Sequence, residues 1–281
     1  MPTIDNHLYE SSFQYNHLDG TDYLGTREAE LIKLQEVWDF CRMNEEKLLC
    51  DMEALYMIEV EPGINLCDWI YGNQGTGSHD ARCMLLYMID SFSEYESAGD
   101  GEISIALGCY QGCISTVEEY IGKRRDFLSN IADVEEFGIF MKSCFLNSVF
   151  SDNIITAMKR IPRFRECTRQ IVSNLALLND HAIEIYERHN RDAAKAMREL
   201  TARAVECTGD PAHKAFLKFP FSYCETGNDD EQNYMVKEIE CSPHMKLLRP
   251  DSNLRIYFYW FDDKVGDGEK VLIGRIGSHP Y

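Results

Sequence analysis

The sequence predicts an α+β protein with a mostly helical N-terminal body and a small antiparallel β-sheet module at the C-terminal end. Apolar residues recur every three or four positions through most of residues 26–205, which is the period of an amphipathic helix. Beyond that segment the period shortens towards two, as in a half-buried strand. Gly209-Asp210-Pro211 lies at the change and breaks both patterns. We therefore place the body at residues 1–205 and the module at residues 206–281.

The body is predicted to hold about seven helices. Leu31, Leu34, Val37 and Trp38 begin an apolar stripe that indicates one or two helices over residues 26–57. Further helices are expected over residues 81–95, 115–131, 133–145, 151–161, 164–190 and 192–205. Weak alternation over residues 103–109 predicts a short strand. The polar residues 1–25 show no clear period, so they are predicted to be irregular.

The module is organised around a terminal hairpin. Two β-prone apolar runs, Leu254–Phe261 and Val271–Ile276, flank a turn rich in Gly and Asp at Asp262–Gly268. Alternation over Tyr234–Cys241 predicts another strand, which Pro243 should end because proline donates no ladder hydrogen bond. We expect a three- or four-stranded antiparallel sheet with helices against one face.

Charge is divided unevenly along the chain. The formal net charge is -19; residues 1–210 carry 19 Lys and Arg against 36 Asp and Glu, whereas residues 211–281 carry 9 against 11. The acidic excess of the first 210 residues repels polyanions, so nucleic acid is not expected to bind along that surface. The alternative interpretation is that the acidic surface only keeps the protein soluble.

Composition also bears on the cellular compartment. Apolar residues make up 44% of the 281 residues, which is enough for a sizeable core. No uninterrupted apolar run approaches the ~20 residues of a membrane helix, and residues 1–20 contain no apolar signal core. We therefore expect a soluble, cytoplasmic protein that has no membrane partner.

Metal and cofactor sites are not expected. The eleven cysteines are scattered through predicted helices and strands, which predicts buried, reduced thiols. Cys109 and Cys113 form one close pair, but zinc usually needs a second pair or a His-x(3–5)-His partner. The acidic residues 229–231 are expected to hold a cation only adventitiously. The glycine-rich residues 72–78 lack the Gly-Lys-Ser/Thr ending of a P-loop and predict an exposed connection.

The candidate functional residues are side chains that carry protons or bind phosphate, and they gather at the margins of the terminal hairpin. A metal-independent ribonuclease must deprotonate a 2′-hydroxyl, stabilise a phosphate as negative charge builds, and protonate the leaving oxygen. Histidine and tyrosine carry protons, whereas arginine and lysine bind phosphate. The candidates are His244, Lys246, Arg249, Arg255, Tyr257, Arg275 and His279.

The expected strands bring several of these side chains together. Arg255 and Tyr257 lie two apart on one strand and so share a face, and Arg275 lies on the partner strand. His279 follows a Gly-Ser pair that can turn the chain end back over that face. The alternative is an ordinary solvated strand face with cross-strand pairs, together with a surface histidine after Pro243.

The same stretch carries a family resemblance. This stretch resembles the C-terminal half of RelE/ParE-superfamily toxins, in particular the YafQ-like mRNA interferases. The resemblance lies in the order Lys-Leu, then Arg-Ile-Tyr-Phe, a turn, and Val-Leu-Ile-Gly-Arg-Ile-Gly-Ser-His-Pro-Tyr. The resemblance covers residues 238–281 and implies a small antiparallel sheet that cleaves RNA without a metal. The whole chain also resembles uncharacterised bacterial phage-defence proteins that end in a similar segment.

The resemblance implies roles for individual residues. His279 would transfer protons, Arg255 and Lys246 would contact phosphate, and Tyr257 and Arg275 would support them. The full set of expected site residues is His279, Arg255, Lys246, Tyr257 and His244 as catalytic residues, with Arg275 and Arg249 as substrate-binding residues.

Two functions are expected from these observations. The first is a toxin-like or phage-defence-associated effector whose RelE-like module binds RNA or the ribosome and cleaves RNA. Its acidic body would restrain the module by self-inhibition, or would bind a protein partner. The second is a non-catalytic adaptor or sensor whose β module binds a protein or a nucleotide. Convergence of His244, Lys246, Arg255 and His279 within reach of one phosphate would favour the first.

Overall fold

The computed structural model describes residues 2–15, 22–94, 99–204, 206–210, 214–226, 232–248 and 252–280. Helices and several small sheets make up these residues, and the C-terminal strands are mainly antiparallel, so the predicted α+β class is confirmed. The chain forms two compact units, Pro2–Arg124 and Arg125–Tyr281. The predicted boundary after residue 205 lies inside the second unit, and the division into a helical body and a β module stays a prediction.

Nine α-helices lie within the described residues. They are α1 (Glu28–Met43), α2 (Met52–Met57), α3 (Leu66–Tyr71), α4 (His79–Ile89), α5 (Val117–Leu128), α6 (Val134–Cys144), α7 (Ile154–Met158), α8 (Phe164–Arg188) and α9 (Ala193–Arg203). Every helix expected from the 3.6-residue period is present, usually with shorter ends. Helix α3 was not expected, because six residues are too few to establish a period. No helix of the described residues combines the length and the apolar character needed to cross a bilayer.

Side-chain caps explain where some of these helices begin. Asp133 precedes α6, and its Oδ1 accepts hydrogen bonds from the amides of Glu135 and Glu136, each at 2.9 Å. Asp192 caps α9 in the same way. Each cap satisfies amides that have no partner within the helix, which fixes the start of the helix.

The first unit contains a small parallel sheet. Its strands are β1 (Ile4–Leu8), β2 (Leu48–Leu49) and β5 (Gly101–Ile105), in the order β2-β1-β5. A separate antiparallel pair is formed by β3 (Glu59–Glu61) and β4 (Ile64–Asn65). The predicted strand near residue 103 is therefore present.

The prediction that residues 1–25 are irregular is wrong for β1. The strand alternates buried and half-buried residues, but the buried residue at its centre is Asn6. A polar residue in a core position hides the alternation from the sequence. The Asn6 side chain donates to the carbonyl of Lys47 and accepts from the hydroxyl of Tyr120, so its burial is satisfied.

The second unit contains a five-stranded sheet and a separate hairpin. The sheet strands are β6 (Ser148–Phe150), β7 (Cys207–Thr208), β10 (His244–Lys246), β11 (Leu254–Tyr259) and β12 (Val271–Ser278), and the hairpin strands are β8 (Lys218–Thr226) and β9 (Gln232–Glu240). The sheet order is β6-β12-β11-β10-β7, and only β6 pairs in parallel. The sheet exceeds the three or four strands expected, because β6 and β7 are too short to show a period.

The β8–β9 hairpin packs against one face of this sheet. The contact is a buried cluster that consists of Leu217, Phe219, Phe221, Ile239, Cys241, Tyr257, Val265 and Leu272. Gly274 permits the close approach, since a Cβ at that position would lie 2.5 Å from Cδ2 of Phe219 and 2.7 Å from Sγ of Cys241. The pairing of β11 with β12 shifts by one residue at the same place.

Candidate functional site

Strand pairing brings five of the predicted site residues onto one face of the sheet. His244 of β10 lies opposite Tyr257 of β11, and Lys246 lies opposite Arg255. Tyr257 in turn lies opposite Arg275 of β12. Residues directly opposite each other on antiparallel strands share a face, so all five side chains begin from the same side of the sheet.

His279 joins this face at the end of β12. Alternation along the strand from Arg275 through Gly277 places His279 on the same side. The Tyr257 hydroxyl oxygen and Nδ1 of His279 are 2.5 Å apart. The His244 ring centroid is 5.1 Å from that of Tyr257 and 6.2 Å from that of His279. We refer to His244, Tyr257 and His279 as the His–Tyr–His cluster.

His244 is buried, with 5% of its surface exposed, and both ring nitrogens are engaged. Its Nδ1 lies 3.3 Å from the carbonyl oxygen of Ser242, which can only accept, so Nδ1 carries the proton. Its Nε2 lies 3.1 Å from the hydroxyl of Thr208 and accepts from it. Burial lowers the pKa of His244, and electrostatic interactions with Arg255 and His279 lower it further. The ring is therefore held in its neutral form.

Tyr257 connects the cluster to the apolar core beneath the β8–β9 hairpin. Its side chain is fully buried, and its ring centroid lies 6.2 Å from that of Phe219. The apolar ring is packed while its hydroxyl meets His279. Packing of this kind holds the hydroxyl, and with it the imidazole, in one place.

Lys246 and Arg255 are held by partners within the protein. Nζ of Lys246 lies 2.5 Å from a carboxylate oxygen of Glu206. Nη1 of Arg255 donates to the backbone carbonyls of Ser252 and Leu254. Arg255 is only 8% exposed, and its Nε is buried with no hydrogen-bond partner. The side chains of Lys246 and Arg255 adjoin the cluster, but some of their hydrogen-bond donors are already bonded to Glu206, Ser252 and Leu254.

Arg275 is half-buried and has capacity left for a ligand. Its Nε donates to the carbonyl of Ser278 at 2.8 Å, and no described residue accepts a hydrogen bond from Nη1 or Nη2. Burial lowers the pKa of Arg275, and the positive charge of Arg160 lowers it further. Arg160 follows α7 and is a neighbour that the sequence did not indicate, because nothing local links the end of that helix to β12.

The structure thus unites most of the predicted set. Six of the predicted residues lie on or beside one sheet face: His244, Lys246, Arg255, Tyr257, Arg275 and His279. Arg249 lies outside the described residues, as do the acidic residues 229–231. The arrangement combines two imidazoles and a phenol, which can carry protons, with arginines, which can bind an anion.

Other candidate regions show no comparable geometry. Among the residues that the structure describes, no three His, Cys, Asp or Glu side chains lie close enough to hold a metal ion. Residues 72–78 are exposed as expected, and the carbonyls of Gln74, Gly75 and Thr76 accept from the buried guanidinium of Arg82. The carbonyl oxygens of this loop, and not its amides, therefore face the position that the guanidinium of Arg82 occupies.

The cysteines are all unpaired, but the prediction that they are buried holds only for some of them. Six are buried, whereas Cys67, Cys83, Cys109 and Cys224 are exposed. Burial raises the pKa of Cys207 to about 12, which keeps that thiol protonated at neutral pH.

The chain matches no protein-family model, no curated protein sequence and no solved structure. The resemblance of residues 238–281 to RelE/ParE-superfamily toxins therefore stays a prediction.

Proposed function

We propose that this protein is a toxin-like or phage-defence-associated effector that binds RNA at the His–Tyr–His cluster and cleaves it without a metal. The observation that carries the proposal is the 2.5 Å contact between Tyr257 and His279 on the sheet face that also bears Arg275. The resemblance of the closing segment to YafQ-like mRNA interferases supports the same reaction. We place the protein in the cytoplasm, in keeping with its eleven unpaired cysteines.

In the proposed reaction, a 2′-hydroxyl of the RNA attacks the neighbouring phosphorus. The O2′–P bond forms and the P–O5′ bond breaks, which leaves a 2′,3′-cyclic phosphate and a 5′-hydroxyl. The imidazole of His279 takes the proton from the 2′-hydroxyl and returns it to the leaving O5′. Arg275 stabilises the negative charge that builds on the phosphate oxygens.

Tyr257 and His244 act in this proposal as positioning residues. When Nδ1–H of His279 donates to the Tyr257 hydroxyl oxygen, the lone pair of the neutral imidazole lies on Nε2, which can then take the proton of the 2′-hydroxyl. His244 packs against Tyr257, and its own ring nitrogens are occupied by Ser242 and Thr208. Proton transfer is therefore assigned to His279 alone.

A second function has one observation in its favour. His244 and Arg255 are more than nine-tenths buried, and Lys246 is paired with Glu206. These contacts suit residues that stabilise the sheet. In that case the chain is a non-catalytic adaptor or sensor, and the β module binds a protein or a nucleotide.

RNA degradation by the purified full chain tests the first proposal. The expected result is cleavage in the presence of EDTA and a loss of at least about a hundred-fold in rate for His279→Ala, the scale of general acid–base catalysis. His181→Ala is the matched control, because His181 is an exposed histidine of α8 outside the site. Equal rates for wild type and His279→Ala, or no cleavage by wild type, would favour the adaptor or sensor.

A further inference from the structure

We propose that Arg160, Arg275 and Arg255 surround a binding site for one phosphate group, near the place where the end of α7 approaches Gly277 of β12. The site extends the proposed function, on which it rests, since its ligand would be a phosphate of the RNA held at the His–Tyr–His cluster. It also adds a residue from outside the C-terminal module, because Arg160 follows the short helix α7.

The backbone around Gly277 brings the three arginines together. Gly277 lies opposite Arg255 in the β11–β12 pairing and two residues after Arg275. A Cβ on Gly277 would lie 3.2 Å from the carbonyl oxygen of Ala157 and 3.8 Å from Nε of Arg275. The amide of Arg160 donates to that same carbonyl of Ala157 at 3.2 Å. The end of α7 therefore meets β12 where the side chains of Arg255 and Arg275 begin.

No acid balances the charge of these arginines among the described residues. Neither Arg160, Arg255 nor Arg275 forms an ion pair there, although the chain as a whole carries 47 Asp and Glu. Like charges placed together raise each other's free energy unless an anion binds between them. Burial lowers the pKa of Arg275, and the positive charge of Arg160 lowers it further.

Unused hydrogen-bond donors point to the same ligand. Nε of Arg255 is buried and has no partner, and a buried donor without a partner is costly. Nη1 and Nη2 of Arg275 have no acceptor among the described residues. A phosphate group offers several acceptor oxygens, and guanidinium groups bind such oxygens in pairs. The geometry thus fits a tetrahedral oxyanion, which RNA supplies either within the strand or at its end.

Isothermal titration of the full chain at low ionic strength tests the site. The probes are inorganic phosphate, thymidine 3′-monophosphate as a terminal phosphate, and the dinucleotide TpT as an internal phosphodiester that has no 2′-hydroxyl. We expect wild type to bind at least one of them and Arg160→Gln to weaken that binding about ten-fold, the scale of one charge-assisted hydrogen bond. Binding of TpT assigns the site to a phosphate within the strand, and binding of the other probes alone assigns it to a strand end.

Lys159→Gln is the matched control. It removes the same charge from the neighbouring residue, whose side chain is exposed and paired with Glu135. We expect its affinity to stay within about two-fold of wild type, as for an exposed ion pair. Absence of binding by wild type, or equal weakening by both variants, would overturn the site.

The two proposals fail separately. Phosphate binding that depends on Arg160, without any RNA cleavage, would remove the nuclease and keep the site. RNA cleavage by wild type together with unchanged phosphate binding by Arg160→Gln would remove the site and keep the nuclease.

Discussion

Two histidines on one sheet face differ in what surrounds them. His244 is buried and gives both ring nitrogens to Ser242 and Thr208, whereas His279 is half-buried and meets the hydroxyl of Tyr257. A histidine that carries protons has to reach its substrate. The two histidines are of the same residue type, but they differ in the exposure of their rings and in their hydrogen-bond partners. The sequence predicted both as catalytic, and the geometry supports that role better for His279.

Burial of His244 leads to a prediction about stability and pH. Its folded-state pKa is lowered from its usual value, first by burial and then by Arg255 and His279, while the carbonyl of Ser242 and the charge of Asp210 oppose the shift. The unfolded chain therefore binds the proton more readily than the folded one. Below the unfolded pKa of about 6.5, acidification favours unfolding until the pH reaches the folded pKa.

Urea unfolding from pH 8 to pH 5 measures this effect. We expect wild type to lose more stability on acidification than His244→Gln, whose amide carries no titrating proton. The difference between the two curves isolates His244 from the many carboxylates that titrate at lower pH. Parallel curves across the whole range would show that burial of this ring has no such consequence.

Helices and strands were predictable to different degrees. The long helix α8 carries its period over 25 residues, and local caps such as Asp133 mark where helices start. The two-residue strands β2 and β7 and the three-residue β6 have no period to detect. They form only because distant strands pair with them, and single-sequence patterns do not contain that information.

The same limit applies to the site. The shared face of Arg255 and Tyr257 followed from the two-residue period, and the pairing with Arg275 followed from the hairpin. The neighbourhood of Arg160 and the cover provided by β8–β9 depend on tertiary packing. Sequence reasoning therefore found the residues on the strands and missed the one contributed by a helix end.

The contact between the β8–β9 hairpin and the sheet gives a prediction for Gly274. An added methyl at Gly274→Ala would meet Phe219 and Cys241, at 2.5 Å and 2.7 Å, inside a buried cluster. Overpacking of this kind costs roughly 1–3 kcal/mol, and we expect a loss of that size in chemical denaturation.

Gly122→Ala is the control for this substitution. A Cβ at Gly122 of α5 meets nothing within 4 Å, and alanine is the better helix former, so a gain of about 0.5–1 kcal/mol is expected. A neutral Gly274→Ala variant would mean that the hairpin does not pack closely on the sheet.

The two compact units of the molecule differ in net charge. Residues 1–124 carry 7 Lys and Arg against 23 Asp and Glu, whereas residues 125–281 carry 21 against 24. The acidic excess thus belongs almost entirely to the unit Pro2–Arg124, and the candidate site belongs to the other. We expect the acidic unit to weaken RNA binding at the site, because negative charge repels a polyanion.

Removing the acidic unit tests this repulsion. We expect a fragment of residues 125–281 to bind a short RNA more tightly than the full chain at low salt, with the difference shrinking as salt screens the charges. Filter binding at two salt concentrations measures it. A full chain that binds as well as the fragment at low salt would contradict the restraint.

We propose that His279, positioned by Tyr257 and His244, transfers protons to and from a ribose-linked phosphodiester. The most direct measurement compares cleavage of one RNA oligonucleotide with cleavage of its fully 2′-O-methylated copy by the intact chain, followed by mass analysis of the ends. We expect that RNA alone is cut and that the fragments carry 2′,3′-cyclic phosphates and 5′-hydroxyls. Equal cutting of both strands, or no cutting of either, would contradict it.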